Sequence, residues 1–81
     1  MTRPTRVTNA IRSLRFAHGE MTQAELADRV GVTRQTIIAI EQGKYSPTLE
    51  MAFQIARVFE VPLDEVFQYP EGVDRQGGKK W

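Results

Sequence analysis

The sequence predicts an all-α domain of five helices, and three observations predict it. Between Thr22 and Lys44, two short apolar stripes flank a single glycine and each opens on a capping residue. From Leu49 to Phe59 a broader apolar face follows Pro47 and Thr48, a helix-start signal. Hydrophobic residues occupy 41% of the 81 positions, enough for one compact helical core, although a chain this short buries only about 60–65% of the surface its unfolded form exposes.

Taken in order, residues 1–8 form an N-terminal arm. Its first six carry Pro4, two threonines and two arginines without periodicity, so they are expected to be loose. Val7, Ile11 and Leu14 begin a helical stripe, with Asn9 as the cap of a first helix running to about Ala17. Val7 alternatively ends a short extended piece before that cap. Phe16 lies off the stripe and is expected to pack only partially. After the connection His18-Gly19-Glu20-Met21, in which Met21 serves as an apolar staple, Thr22 and Glu25 have the spacing of a reciprocal capping box. Leu26, Ala27 and Val30 make the second helix's apolar stripe. Gly31 stops that helix because a glycine takes the left-handed conformation without steric cost.

Val32 plugs the corner, Thr33 caps the third helix, Ile37 and Ile40 turn toward the core, and Gly43 closes the helix. Ala27 falls where the two helices approach most closely, and a larger side chain there would push them apart. The fourth helix, ending near Glu60, is expected to bury Leu49, Ala52, Phe53, Ile55, Ala56 and Phe59, with Met51 and Val58 toward its other side. Pro62 restarts a short fifth helix from Leu63 to about Phe67. The domain proper thus covers residues 9–69. Residues 70–81 hold three glycines and no core candidate before Trp81, the composition of a flexible tail.

The outward face of the third helix separates this hairpin from an ordinary one. Arg34, Gln35, Thr36, Ile38 and Ala39 lie off the Ile37/Ile40 stripe and offer donors, acceptors and apolar surface in place of the Glu and Lys of a solvated helix. The segment TQAELADRVGVTRQTIIAIEQGK therefore reads as a helix-turn-helix, and it resembles the DNA-binding domain of the Cro/C1-type (XRE-type) repressors. The likeness continues through YSPTLEMAFQIARVFEVPLDEVF, similar to the fourth and fifth helices of that family's small free-standing regulators, so it covers roughly Asn9 to Phe67. It implies a lambda-repressor-like domain bound to double-stranded DNA. Some of the short regulators add a small strand pairing, which here would join Arg6–Thr8 to Gln68-Tyr69.

A helix in the major groove presents its N-terminal residues to base edges, which assigns sequence reading to Arg34, Gln35, Thr36, Ile38 and Ala39. Gln35 has the donor and acceptor to read adenine in two bonds; Arg34 can read guanine or fall back on a phosphate; Ile38 and Ala39 suit thymine methyl groups. Phosphate contacts are expected from Thr22, Gln23 and Thr33 at helix starts, whose free N–H groups favour an anion. The resemblance adds Lys44, Tyr45 and Ser46 in the loop beyond the hairpin, with packing over the fourth helix an equal option for Tyr45. It also sets Arg15 opposite Glu41 as a largely buried structural ion pair. A single such domain makes few base contacts, so a homodimer on a roughly palindromic operator is expected, with Leu63, Phe67, Tyr69, Met51 and Val58 as candidates for its interface.

The net charge of +1 conceals a split. Residues 1–44 carry a net +3, residues 45–74 a net −5, and Arg75, Lys79 and Lys80 return +3. A basic half holding the hairpin and an acidic half turned from the phosphates suits a DNA binder. With one His, no Cys and no recognisable carboxylate pair, an enzyme, a metal site and a cofactor are not expected, and no pocket for a small-molecule effector is evident. His18, in a turn, reads as solvated. Absence of cysteine fits a reducing cytoplasm, and there is neither a membrane-spanning run nor a secretion signal. The alternative class is an antitoxin or adaptor whose main partner is a protein, motivated by the acidic second half and Trp81.

Overall fold

A computed structural model describes residues 5–70 of the chain; the expected looseness of residues 1–4 and the tail from residue 71 onward, Trp81 included, lie outside the described residues. The order is β1 (Thr8–Asn9), α1 (Ile11–Ala17), α2 (Gln23–Val30), α3 (Arg34–Glu41), α4 (Leu49–Phe59), α5 (Leu63–Val66) and β2 (Phe67–Gln68). The five helices enclose one core. Ile11, Leu26, Ile37, Ile40, Ile55, Phe59 and Val66 are all buried at its centre, one or more from every helix. Each such side chain contributes about 1.5–3 kcal/mol when removed from water.

The helix starts at Thr22, Thr33 and Thr48 follow one chemistry. Each hydroxyl accepts from the N–H three residues on: Glu25 at 3.0 Å, Thr36 at 3.2 Å and Met51 at 3.1 Å. Glu25 completes the capping box, its carboxylate accepting from the Thr22 N–H at 2.9 Å. Met21, just before that cap, is buried in the same cluster as Leu26 and fixes the angle at which the chain enters α2.

Three helix ends share a second chemistry. After α2, Gly31 sits at φ 76°, and the N–H groups of Gly31 and Val32 donate back to Asp28 and Ala27. These paired bonds satisfy carbonyls that a helix end otherwise leaves orphaned. Gly43, at φ 75°, repeats the arrangement after α3. After α4 the left-handed residue is Glu60, at φ 60°, with Glu60 and Val61 donating to Arg57 and Ala56. A second non-glycine in this conformation is Glu20, in the turn leading to α2.

Four expectations need correction. The cap position of the first helix, expected at Asn9, falls on Ala10, because Asn9 belongs to β1 and the helix begins at Ile11; the Asn9 side chain still accepts from the Ile11 N–H at 3.1 Å. The strand pairing is displaced from Arg6–Thr8 with Gln68-Tyr69: β1 ends one residue later and β2 lies one residue earlier, so that Thr8 pairs with Gln68 and Asn9 with Phe67. This register is anchored by the Ala10 N–H, which donates to Val66 at 2.9 Å. Phe67 accordingly leaves the fifth helix for β2. The fourth correction concerns α4: Leu49 and Phe53, expected in the core, are 66% and 50% exposed, whereas Met51 and Val58 are half-buried against it. The helix is rotated because its buried line is Ala52, Ile55, Ala56 and Phe59, and the small alanines let neighbouring helices close on that line.

Candidate nucleic-acid interface

The hairpin α2–α3 positions the candidate interface, and Ala27 is buried within it. With Gly31 turning the chain and Ile37 and Ile40 facing the core, α3 presents its other side outward: Arg34 and Gln35 are exposed, while Thr36, Ile38 and Ala39 are partly so. Thr36 shares a 3.0 Å hydrogen bond with the Thr33 hydroxyl, so its polar group is already engaged in the cap. Thr22, Thr33, Lys44, Tyr45 and Ser46 are exposed around this face, and Gln23 is half-buried.

Beneath the face lies a charged strut. Arg15 of α1 meets Glu41 at the end of α3 through two bonds, Nε to Oε2 at 2.7 Å and Nη2 to Oε1 at 3.1 Å. Both side chains are only 10% exposed. Arg15 also donates through Nη1 to the Met21 carbonyl at 2.9 Å, tying α1 to the entry of α2 as well. Gln23 donates to Glu41 Oε1 at 3.3 Å, so the residue expected to grip a phosphate leans on the strut with its side-chain amide. Desolvation makes such a pair costly to break from one side, since the remaining charge is stranded.

Several contacts around this face were not anticipated by the sequence reading, although it named Asn9 as a cap and placed His18 in a turn. Asn9 donates through Nδ2 to the Ile40 carbonyl at 3.0 Å, bracing the C-terminal end of α3, and a sequence carries no signal for a bond across 31 residues. Arg12 lies over the ring of exposed Phe16, 5.8 Å from its centre; here the i, i+4 spacing of a cation and an aromatic was visible in advance. His18 is exposed, yet its ring contacts Leu14 O at 3.0 Å and meets Phe59 edge-on at 5.2 Å.

Away from the hairpin, Leu49 and Ala52 of α4, Leu63 of α5, Phe67 of β2 and Val7 line an apolar groove of about 600 Å³. Phe53, one turn beyond Leu49, extends the same flank, and Tyr69 is 67% exposed. The five residues expected at a dimer interface do not form one surface. At 100° per residue, Met51 and Val58 stand roughly 150° round α4 from Leu49 and Phe53, so Leu49 accompanies Leu63 and Phe67 instead. Among the described residues no group of His, Cys, Asp or Glu could hold a metal ion, and no helix is long and apolar enough to cross a membrane.

Comparison with known proteins decides what kind of hairpin this is. A family model described as helix-turn-helix matches residues 11–66, from the first residue of α1 to the last of α5. The chain belongs to the Cro/C1-type (XRE) helix-turn-helix family. This Cro/C1-type chain is therefore a transcriptional regulator with a DNA-binding helix-turn-helix domain, in a family that is not an enzyme class. It is 48% identical over 63 residues to an uncharacterized HTH-type transcriptional regulator of Methanocaldococcus jannaschii, covering 78% of this chain and 94% of that one. A similarly named protein of Archaeoglobus fulgidus is 53% identical over 51 residues, covering 63% and 72%. More distant is the cryptic phage CTXphi transcriptional repressor RstR from Vibrio cholerae, 36% identical over 59 residues and covering 73% of this chain and 52% of that protein. The fold matches the crystal structure of a Bacteroides fragilis protein, described as a candidate DNA-binding protein, with a TM-score of 0.67 at 24% identity over 76% of this chain and 98% of that one.

Proposed function

We propose that this regulator is a cytoplasmic repressor that binds a roughly palindromic operator as a homodimer, reading sequence with the exposed side of α3. The observation that carries the reading is the composition of that side: Arg34 and Gln35 extend freely from the first turn, followed by the part-exposed Ile38 and Ala39. Gln35 takes adenine, Arg34 takes guanine or a neighbouring phosphate, and Ile38 with Ala39 sits against thymine methyl groups; Thr36 contributes mainly bulk, its hydroxyl being held by Thr33. A good bidentate contact is worth about 1–3 kcal/mol of discrimination. Thr22, Gln23, Thr33, Lys44, Tyr45 and Ser46 flank the groove-facing helix and take phosphates, which fix register without reading sequence.

The dimer seam runs along Leu63, Phe67 and Tyr69, joined by Leu49 and Phe53 on the neighbouring flank of α4. Leu49 and Phe53 are large apolar side chains left half or more in water, and a second copy would cover them. Met51 and Val58, half-buried on the opposite flank, have little surface left for a partner. Repression is supported by the likeness to RstR, named a transcriptional repressor.

Selection of bound sequences from a random duplex pool tests the reading. Recovery of an inverted repeat is expected, and Gln35→Ala should relax the choice at one position of each half-site. Random recovery would overturn sequence-specific regulation and favour a module whose main partner is a protein.

A further inference from the structure

Resting on the proposal that α3 reads sequence, we infer that Asn9 is a positioning residue for that helix. Without touching a base, its side-chain amide sets where the reading side of α3 stands, and so how well the protein tells its operator from other duplex. Asn9 is half-buried at the end of β1. Its side chain meets two opposite demands at once, the oxygen accepting from the Ile11 N–H at 3.1 Å and Nδ2 donating to the Ile40 carbonyl at 3.0 Å. An amide carries an acceptor and a donor on separate atoms, and these two partners fix which atom faces which. Aspartate lacks the donor. Serine, whose hydroxyl stands where the amide carbon does, falls short of Ile40.

Three features give this bond control of α3. It ends on main chain: the Ile40 carbonyl accepts from Asn9 and also from the Gly43 N–H at 3.0 Å, so both of its lone pairs are engaged. Arg15, by contrast, holds Glu41 through a side chain, whose rotamers let the helix shift while that pair persists. The bond is also rooted. Asn9 pairs with Phe67 in the strand ladder, and the next N–H, that of Ala10, donates to Val66 at 2.9 Å, so both strands resist a displacement of α3. The Thr33 cap and the bonds that Gln42, Gly43 and Lys44 return to α3 are local and travel with the helix. Finally, Ile40 follows directly on Ile38 and Ala39, two of the residues proposed to face bases. At about 1.5 Å of rise per residue, the anchor lies within about 3 Å of both along the axis.

The test compares the affinity of the full chain for an operator selected from a random duplex pool with its affinity for random duplex, well below the melting temperature of each variant. Asn9→Ser should weaken operator binding about tenfold, within the range that one good bidentate contact spans, and change random-duplex binding by less than about twofold. Asn9→Asp, which keeps the acceptor for Ile11, should do the same. Met51→Ser, which loosens the core elsewhere, should lower the melting temperature and leave the ratio of the two affinities intact. An unchanged ratio in Asn9→Ser overturns the positioning role, as does an equal loss on random duplex. An equal fall of the ratio in Met51→Ser also overturns it, since lost stability would then suffice. A loss confined to Asn9→Asp does so as well, because it would trace to a carboxylate placed beside Glu41, which lines the same small hollow as Asn9. A shift of Asn9→Ser toward monomer in sedimentation overturns the role by placing the effect in the dimer seam. A wild type with no preference among duplexes overturns sequence reading itself, and the role of Asn9 with it.

Discussion

The hairpin α2–α3 and the segment α4–β2 are both short apolar helices followed by a turn, yet they leave opposite surfaces in water. The hairpin buries Leu26, Ala27, Val30, Ile37 and Ile40 and leaves Arg34 and Gln35 exposed at the start of α3. The second segment buries Ala52, Ile55, Ala56, Phe59 and Val66 and exposes Leu49 and Phe53. A narrow stripe is wholly consumed by one core. A broad one exceeds what a domain of this size can cover, and its surplus becomes a surface for something else.

The contrast is sharpest under mutation. The largest effect is expected where the hairpin is tied to α1: Glu41→Gln strands Arg15 and should cost about 3–5 kcal/mol in urea unfolding, whereas a loss below 1 kcal/mol would make the strut equivalent to an exposed pair. Next come the two flanks of α4. Met51→Ser should lower stability by about 1–2 kcal/mol at any protein concentration, because Met51 packs on the core. Phe53→Ser should change monomer stability by less than about 0.5 kcal/mol while shifting sedimentation toward the monomer; the reverse pattern would exchange the two flanks.

Smaller effects separate the two left-handed helix ends. A Cβ at Gly31 would meet no atom within 4 Å, so Gly31→Ala pays only backbone strain and should cost about 1 kcal/mol. Glu60 already bears that strain after α4. Glu60→Gly should therefore raise the stability slightly, by about 0.5 kcal/mol after allowing for the freer unfolded chain, detectable as a small upward shift in melting temperature. Loss of stability there would mean that the Glu60 side chain does more than occupy space.

What could be read in advance follows the range of the interaction. Thr22 with Glu25, Thr33 with Thr36, Gly31 and Gly43 act within a few residues, so their caps and turns were legible as patterns. Glu60 was not, because its turn uses the same local pair of bonds as Gly31, here to Arg57 and Ala56, but carries no glycine to announce a left-handed residue. The rotation of α4 and the one-residue shift of the strands depend on partners tens of residues away, such as Val66 for Ala10. In the candidate interface, the exposed positions of α3 were legible from the 3.6-residue period alone. The contact of Gln23 with Glu41 was not, because it joins residues 18 apart.

Asn9 has a practical consequence for anyone handling this protein. It is the last residue of β1, and its amide holds the carbonyl of Ile40 in α3, the helix proposed to read DNA. An affinity tag fused a few residues before Thr5, or directly after Pro70, would tug on one or other strand of the β1–β2 pair and so on the base of α3. Tags separated by a flexible spacer, and binding assays repeated after tag removal, would keep the handle from altering the reader.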